Sequence, residues 1–73
     1  MYITICDVPS KFTDELKAMG GKIMRSYNGL IDVQFTSDKF KMKLFDGDVE
    51  IRSRETYSIY VLNANEFSAI YIN

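Results

Sequence analysis

The sequence has no histidine, no tryptophan and a single cysteine, Cys6. Without histidine, the commonest general base is missing, and so is the usual partner of a serine or cysteine nucleophile. One cysteine cannot close an intrachain disulfide, and with no histidine the chain has no set of ligands for a structural zinc. Proline occurs once and glycine four times, so there is no linker or low-complexity tract. No apolar run approaches the roughly 18 residues that would suggest a membrane span. The opening residues Met1-Tyr2-Ile3-Thr4-Ile5 lack the basic and long apolar regions of a signal peptide. A lone thiol without a targeting segment leads to the expectation of a cytoplasmic protein.

What is present suffices for one small domain spanning residues 1–73. The chain is 47% hydrophobic, with five tyrosines and five phenylalanines, which argues for a packed core and against disorder. Formal net charge is −1, with an isoelectric point near 5.2. That balance excludes a uniformly basic nucleic-acid binder and a strongly acidic DNA mimic. Electrostatic recognition must come from local patterning. The abundance of Asn, Lys, Ile and Tyr, with codons poor in G and C, suggests a small accessory protein of an AT-rich genome such as a phage.

Residues Met1 to Cys6 alternate as a strand, with Met1, Ile3 and Ile5 on one face. Asp7-Val8-Pro9-Ser10 breaks it, and Ser10 is a good N-cap. Phe12, Leu16 and Met19 then recur at helical spacing, and Gly20-Gly21 supplies the stop, giving a helix of about three turns. Every later element reads as strand. Lys22 to Tyr27 and Leu30 to Thr36 flank Asn28-Gly29, a strong type I′ hairpin signal. A two-residue loop pairs Tyr27 with Leu30, Arg25 with Asp32 and Met24 with Val33. Met24, Ile31, Val33 and Phe35 then share one face, with an Arg25–Asp32 ion pair on the other.

The alternating runs Lys39 to Leu44 and Val49 to Arg54 flank Asp46-Gly47, a second type I′ candidate. Leu44 then opposes Val49 and Met42 opposes Ile51, a register that a one-residue slip would ruin. A short helix over residues 37–44, capped by Ser37, is the alternative. Finally, Thr56 to Leu62 and Phe67 to Ile72 read as two strands joined by Asn63-Ala64-Asn65-Glu66, pairing Leu62 with Phe67, Tyr60 with Ala69 and Ile59 with Ile70. The expected architecture is a single small α+β domain: one N-terminal helix and a mostly antiparallel β meander, as a curled sheet or small barrel.

Material for catalysis is thin. Cys6 has a carboxylate beside it in Asp7, which raises a thiol pKa and opposes reactivity. Asp14 and Glu15 lie on the helix. Asp46 and Asp48 flank a turn glycine without the further oxygen ligands of a calcium loop. No glycine-rich loop opens a helix to cradle phosphate. The chain is expected not to be an enzyme, with no cofactor and no metal.

Two surfaces carry more. In the second hairpin Lys39 opposes Arg54, Lys41 opposes Arg52 and Lys43 opposes Glu50, all pointing away from the core, with Phe45 at the tip of the same face. Like charges opposed across strands destabilise a sheet. A cationic stripe with an exposed aromatic suits phosphate and a stacked base, or an acidic protein surface. Lysines on an edge strand also guard it against aggregation. In the last hairpin, if Tyr57, Ile59, Val61, Ile70 and Ile72 face the core, then Tyr60, Leu62, Phe67 and Tyr71 form an aromatic outer face of the kind that marks interface centres.

The order of elements, one helix then bent strands, is similar to that of the Sm-like fold, a small RNA-binding barrel. Neither Sm signature is present: no Asp precedes a Met-Asn pair, and Asn63-Ala64-Asn65 stands where an Arg-Gly loop would. The chain is therefore assigned to no family. The expected function is that of a small binding module that docks, and regulates or inhibits, a protein partner or self-associates, with Tyr60, Leu62, Phe67 and Tyr71 as contacts. The alternative is a nucleic-acid-binding module using Lys39, Lys41, Lys43, Phe45, Arg52 and Arg54. No membrane partner is expected.

Overall fold

A computed structural model describes residues 1–73. Strand β1 runs over Tyr2–Pro9 and leads through a single 3-10 turn, Ser10–Phe12, into helix α1, Thr13–Met19. Six strands follow: β2 Lys22–Tyr27, β3 Leu30–Thr36, β4 Phe40–Phe45, β5 Asp48–Ser53, β6 Ile59–Leu62 and β7 Ala69–Ile72, with a second 3-10 turn at Ala64–Glu66. The strands make two antiparallel sheets, not a closed barrel: β2-β3-β1-β7 and β4-β5-β6. No helix is long and apolar enough to cross a membrane.

One core joins the two sheets and the helix. Ile5, Val8, Ile31, Val33 and Phe35 come from the first sheet, Phe40, Val49, Ile51 and Leu62 from the second, and Leu16 from α1. Phe35 and Phe40 meet edge to face with ring centroids 4.9 Å apart, a favoured aromatic geometry that stitches β3 to β4. Of the helical stripe only Leu16 is fully buried, while Phe12 and Met19 pack at the rim of the core. Ser10 does not cap the helix with its side chain. Its carbonyl instead accepts from the Thr13 hydroxyl, at 2.6 Å. The stop is the expected glycine pair. Gly20 has φ +115°, its N–H donates to the Lys17 carbonyl at 3.0 Å, and Gly21 N–H reaches back to Leu16 at 2.8 Å. This is a Schellman ending that satisfies two orphan carbonyls.

Both type I′ turns form. Asn28 and Gly29 have φ of 49° and 76°, and Asp46 and Gly47 of 50° and 79°. The second hairpin has the expected register throughout, Lys41 opposite Arg52, Met42 opposite Ile51, Lys43 opposite Glu50 and Leu44 opposite Val49. Residues 40–45 are strand, so the helical alternative over 37–44 is excluded. The first hairpin departs in one place. Tyr27–Leu30 and Arg25–Asp32 pair as expected, but a bulge at Met24 lets Ile23 oppose Val33. Met24 is therefore exposed, and Ile23 packs on the core in its stead. A second bulge, between Ile5 and Val8, carries β1 through Cys6 and Asp7 to Pro9 rather than ending it at Cys6.

The C-terminal hairpin does not form. β6 pairs with β5, Ile51 opposite Tyr60 and Val49 opposite Leu62, whereas β7 pairs with β1, Ile5 opposite Ile70 and Ile3 opposite Ile72. The connection explains why. Asn63 and Glu66 form a reciprocal capping box around the 3-10 turn, and the Asp48 carboxylate accepts from Ala64 N–H at 2.8 Å. Ser68 N–H then donates to the Cys6 carbonyl at 2.9 Å, which hands the chain to the first sheet.

The space behind the helix is tight enough to test. A Cβ on Gly21 would lie 2.6 Å from Val33 Cγ2 and 2.9 Å from Phe35 Cζ, and both side chains are fully buried. Overpacking of this kind costs about 1–3 kcal/mol. Gly21→Ala is therefore expected to lower the urea midpoint with an unchanged m-value.

Candidate functional site

The outer face of β4-β5-β6 is the most strongly patterned surface of the molecule. Alternation on β5 turns Val49, Ile51 and Ser53 inward, all buried, which sends Glu50 and Arg52 outward. On β4 the same alternation exposes Lys41 and Lys43, with Phe45, 42% exposed, at the tip. Lys41 thus stands directly opposite Arg52. Arg52 leans towards Glu50, with 3.7 Å between Nη2 and Oε2. On the other side of β5, Ile59 is the cross-strand partner of Arg52 and Val61 that of Glu50. Both aliphatics are exposed, at 48% and 43%.

Past the end of β5 the chain is held by Ser53, the one buried polar residue. Its hydroxyl accepts from Glu55 N–H at 3.2 Å and Thr56 N–H at 3.1 Å. This turn leaves Tyr57 at φ 63° and 75% exposed, beside a shallow groove with Lys41, Arg52 and Arg54. Arg54 is anchored through Nε to the Ser37 carbonyl at 3.0 Å. The structure thus sets Lys41, Lys43 and Arg52 side by side on this face, with Arg54 and Tyr57 at one end of the hairpin and Phe45 at the other. Lys39 does oppose Arg54 through its backbone, accepting from Arg54 N–H at 2.7 Å. It precedes β4, however, and lines a different groove, between the end of α1 and the segment after β5. Sequence reasoning missed Tyr57, Ile59 and Val61 as members of this face, because the pairing of β6 was misassigned.

The expected aromatic face does not exist as one surface. Leu62 is fully buried in the core, and Tyr60 and Phe67 are half-buried against it. Tyr60 packs edge to face on Phe12, with centroids 6.4 Å apart, and donates its hydroxyl to Glu15 at 2.9 Å. Burial, and after it the Glu15 carboxylate, push the Tyr60 phenol up to about 12. Tyr71 alone is open, and it lies on the other sheet. The physical reason is parity. Because Tyr60 opposes Ile51, the inward and outward sets on β6 are the reverse of those expected, and it is Ile59 and Val61 that face out.

A second constellation was legible only in part: the Arg25–Asp32 pair and Asp7 beside Cys6 could be read from the sequence, but not the links from Asp7 to Tyr27, Ser68 and Asp32. Asp7, with φ 58° at the β1 bulge, accepts hydrogen bonds from the Tyr27 and Ser68 hydroxyls on its two carboxylate oxygens. Its own N–H donates to Asp32 Oδ1 at 3.1 Å, while Asp32 Oδ2 lies 3.3 Å from Arg25 Nε. The Arg25 guanidinium covers the Tyr27 ring at 4.2 Å, a cation–π contact. These groups rim a shallow open pocket with Cys6. Burial raises the Cys6 thiol pKa, the Asp32 and Asp7 carboxylates add to that, and Arg25 opposes it. Each charge in the cluster already has a partner within it. The arrangement ties the β1 bulge to β2, β3 and the approach to β7, and it offers no free cation to an incoming anion.

No family model, no curated protein and no solved structure matches the chain.

Two outcomes follow from this geometry. Tyr60→Ala combined with Phe67→Ala removes two rings packed on the core, and large-to-small changes of this kind cost about 3–5 kcal/mol each when the site is fully buried. A half-buried pair is expected to lose a large part of that, read as a strongly lowered Tm. The Ser68 and then Tyr27 hydroxyls hold the Asp7 carboxyl below its ordinary value. A depressed folded-state pKa means that the unfolded chain takes up the proton first, so Asp7's contribution is fully present above about pH 4 and fades as the pH falls through the folded value. Asp7→Asn keeps a residue tolerant of positive φ but removes the titration. The Tm gap between wild type and Asp7→Asn is expected to narrow as the pH drops below 4.

Proposed function

We propose that the protein is a non-enzymatic binding module that docks an acidic, partly apolar surface of a protein partner, through the outer face of β4-β5-β6. The observation that carries this reading is the exposed Lys41–Arg52 pair. Like charges placed directly opposite one another cost a sheet a few tenths of a kcal/mol. This pair sits beside exposed Ile59 and Tyr57, in a chain whose net charge is −1. Edge protection accounts for lysines on β4 but not for an arginine on the central strand β5 or for aliphatics on β6. Arginine and tyrosine set among apolar groups are the composition of interface centres. A partner carrying carboxylates opposite Lys41, Lys43 and Arg52 would relieve the repulsion and set the register of docking. Such a module acts by occupying its partner, and regulation or inhibition is the consequence.

The same cations support a second reading, a single-stranded nucleic acid with a base stacked on Tyr57 or Phe45. Glu50 weighs against it, since its carboxylate lies in the middle of the face, next to Lys43 and Val61, where a phosphate backbone would have to pass. The Cys6 thiol, its pKa raised, and the fully partnered charges around Asp7 support the non-enzymatic part of the reading.

Affinity capture from the native host, with wild type and Lys41→Ala/Arg52→Ala as baits and with and without nuclease, tests the proposal. The expected result is a protein retained by wild type in the presence of nuclease and lost with the double variant. Removal of an interface arginine weakens binding by on the order of 2 kcal/mol, about thirtyfold in Kd. The variant is also expected to stay close to wild type in stability, because the like-charge pair and the exposed Arg52–Glu50 ion pair are lost together. Tight binding of a labelled single-stranded oligonucleotide, falling steeply with salt, would replace the protein reading with the nucleic-acid one.

A further inference from the structure

We infer that the free edge of β7 is a docking site for a second copy of this chain, pairing β7 with β7 antiparallel across a two-fold axis at Tyr71. β7 is the outermost strand of its sheet, bonded only to β1. Its ladder fixes which backbone groups are unused. Tyr2 and Asn73 exchange both hydrogen bonds, at 2.7 and 3.0 Å, and Thr4 pairs with Tyr71 two residues further on. Hydrogen-bonded and non-bonded pairs alternate along an antiparallel ladder. The N–H and C=O groups of Tyr71 therefore point towards β1, and those of Ile70 and Ile72 point outward, away from the sheet. An open row of this kind is a template for another strand.

The chemistry of the edge selects a second copy. The other outer strands are guarded or committed. β4 carries Lys41 and Lys43, and β2 carries Lys22, Arg25 and the Met24 bulge. β6 is uncharged, but self-pairing along it would draw together two cationic faces that each carry Arg52 on the adjoining strand. β7 reads Ala-Ile-Tyr-Ile, without charge, proline or bulge, and its neighbour β1 is uncharged from Tyr2 to Cys6. Tyr71 is 64% exposed and Ile72 57%. With the two-fold at Tyr71, Ile70 of one copy exchanges hydrogen bonds with Ile72 of the other, so that outward groups meet outward groups. Side chains match as well, isoleucine beside isoleucine on one face and tyrosine beside tyrosine on the other. The pairing is self-complementary, as a two-fold interface must be. It would join two four-stranded sheets into one continuous sheet and leave both cationic faces on β4-β5-β6 free, so it goes beyond the function proposed above and stands or falls separately from it.

A ladder this short buries little surface, so the association is expected to be weak, with Kd on the order of 10–100 μM. Sedimentation velocity of the full chain from about 10 μM to about 1 mM is expected to show a monomer–dimer equilibrium. Tyr71→Lys and Tyr71→Glu each replace the tyrosine pair on the axis with like charges face to face and are expected to weaken it severalfold, while an equimolar mixture of the two variants recovers a heterodimer. Amide hydrogen exchange on wild type reads the same contact without a variant. Ile70 and Ile72 should gain protection as concentration rises, while Tyr71 is protected throughout by β1. A chain that stays monomeric at 1 mM, with fast exchange at Ile70 and Ile72, overturns the inference and leaves the edge to a strand of another protein. A dimer indifferent to Tyr71→Lys, or variants that do not recover on mixing, also overturns it.

Discussion

The bulge in β1 is the constraint on which the rest of the arrangement depends. Ile3, Ile5 and Val8 all have to face the core, yet a regular strand would turn Val8 outward, because its period is two. One extra residue, taken up at Cys6 and Asp7, restores the phase. Asp7 supplies the positive φ, which aspartate tolerates better than most residues with a Cβ. Once there, its carboxylate is aimed at Tyr27 from the first hairpin and Ser68 from the approach to β7. The irregularity that keeps the core in register is thus also the tie between the middle of the sheet and both of its flanks. The polar pocket around it follows from this geometry.

The two sheets share a core but differ in what they show outside it. The three-stranded sheet sets Lys41 and Lys43 of β4 beside Arg52 of β5, with the β5 carboxylates Glu50 and Asp48 between Arg52 and the hairpin tip, and exposes the apolar Ile59 and Val61 on β6. The four-stranded sheet carries its charges around Arg25 and Asp32 and ends in an uncharged edge. In a chain near neutrality this division is one of placement, not of composition. On the function and the edge pairing proposed above, one face would meet carboxylates while the far edge extends the sheet. These two surfaces belong to different sheets, so occupation of one leaves the other accessible.

The features legible in the sequence were those decided within a few residues. Asn28-Gly29 and Asp46-Gly47 set both hairpins because their positive φ values are a local property of those residues. The second hairpin was then locked by its strict alternation, and the placement of Lys41, Lys43 and Arg52 followed from it. Gly20-Gly21 ended the helix for an equally local reason. The bulge at Met24 was not visible, because Ile23 and Met24 are both apolar and either could have faced the core on pattern alone.

What only the tertiary structure decided was the choice of partner for the strands that had more than one candidate. Asn63 to Glu66 read as a hairpin loop because neighbours in sequence are the default partners in a sheet. In the folded chain the free edges of β5 and β1 compete for β6 and β7 and take them, setting Ile51 opposite Tyr60 and Ile5 opposite Ile70. That competition set the parity of β6, buried Leu62, dispersed the expected aromatic face and brought Ile59 and Val61 beside the cations. It also carried Ser68 to Asp7 across a separation of 61 residues. Such pairings depend on which edges and faces remain uncovered once the rest of the chain is in place. Turn chemistry and alternation are written residue by residue, whereas the availability of an edge exists only in the assembled fold.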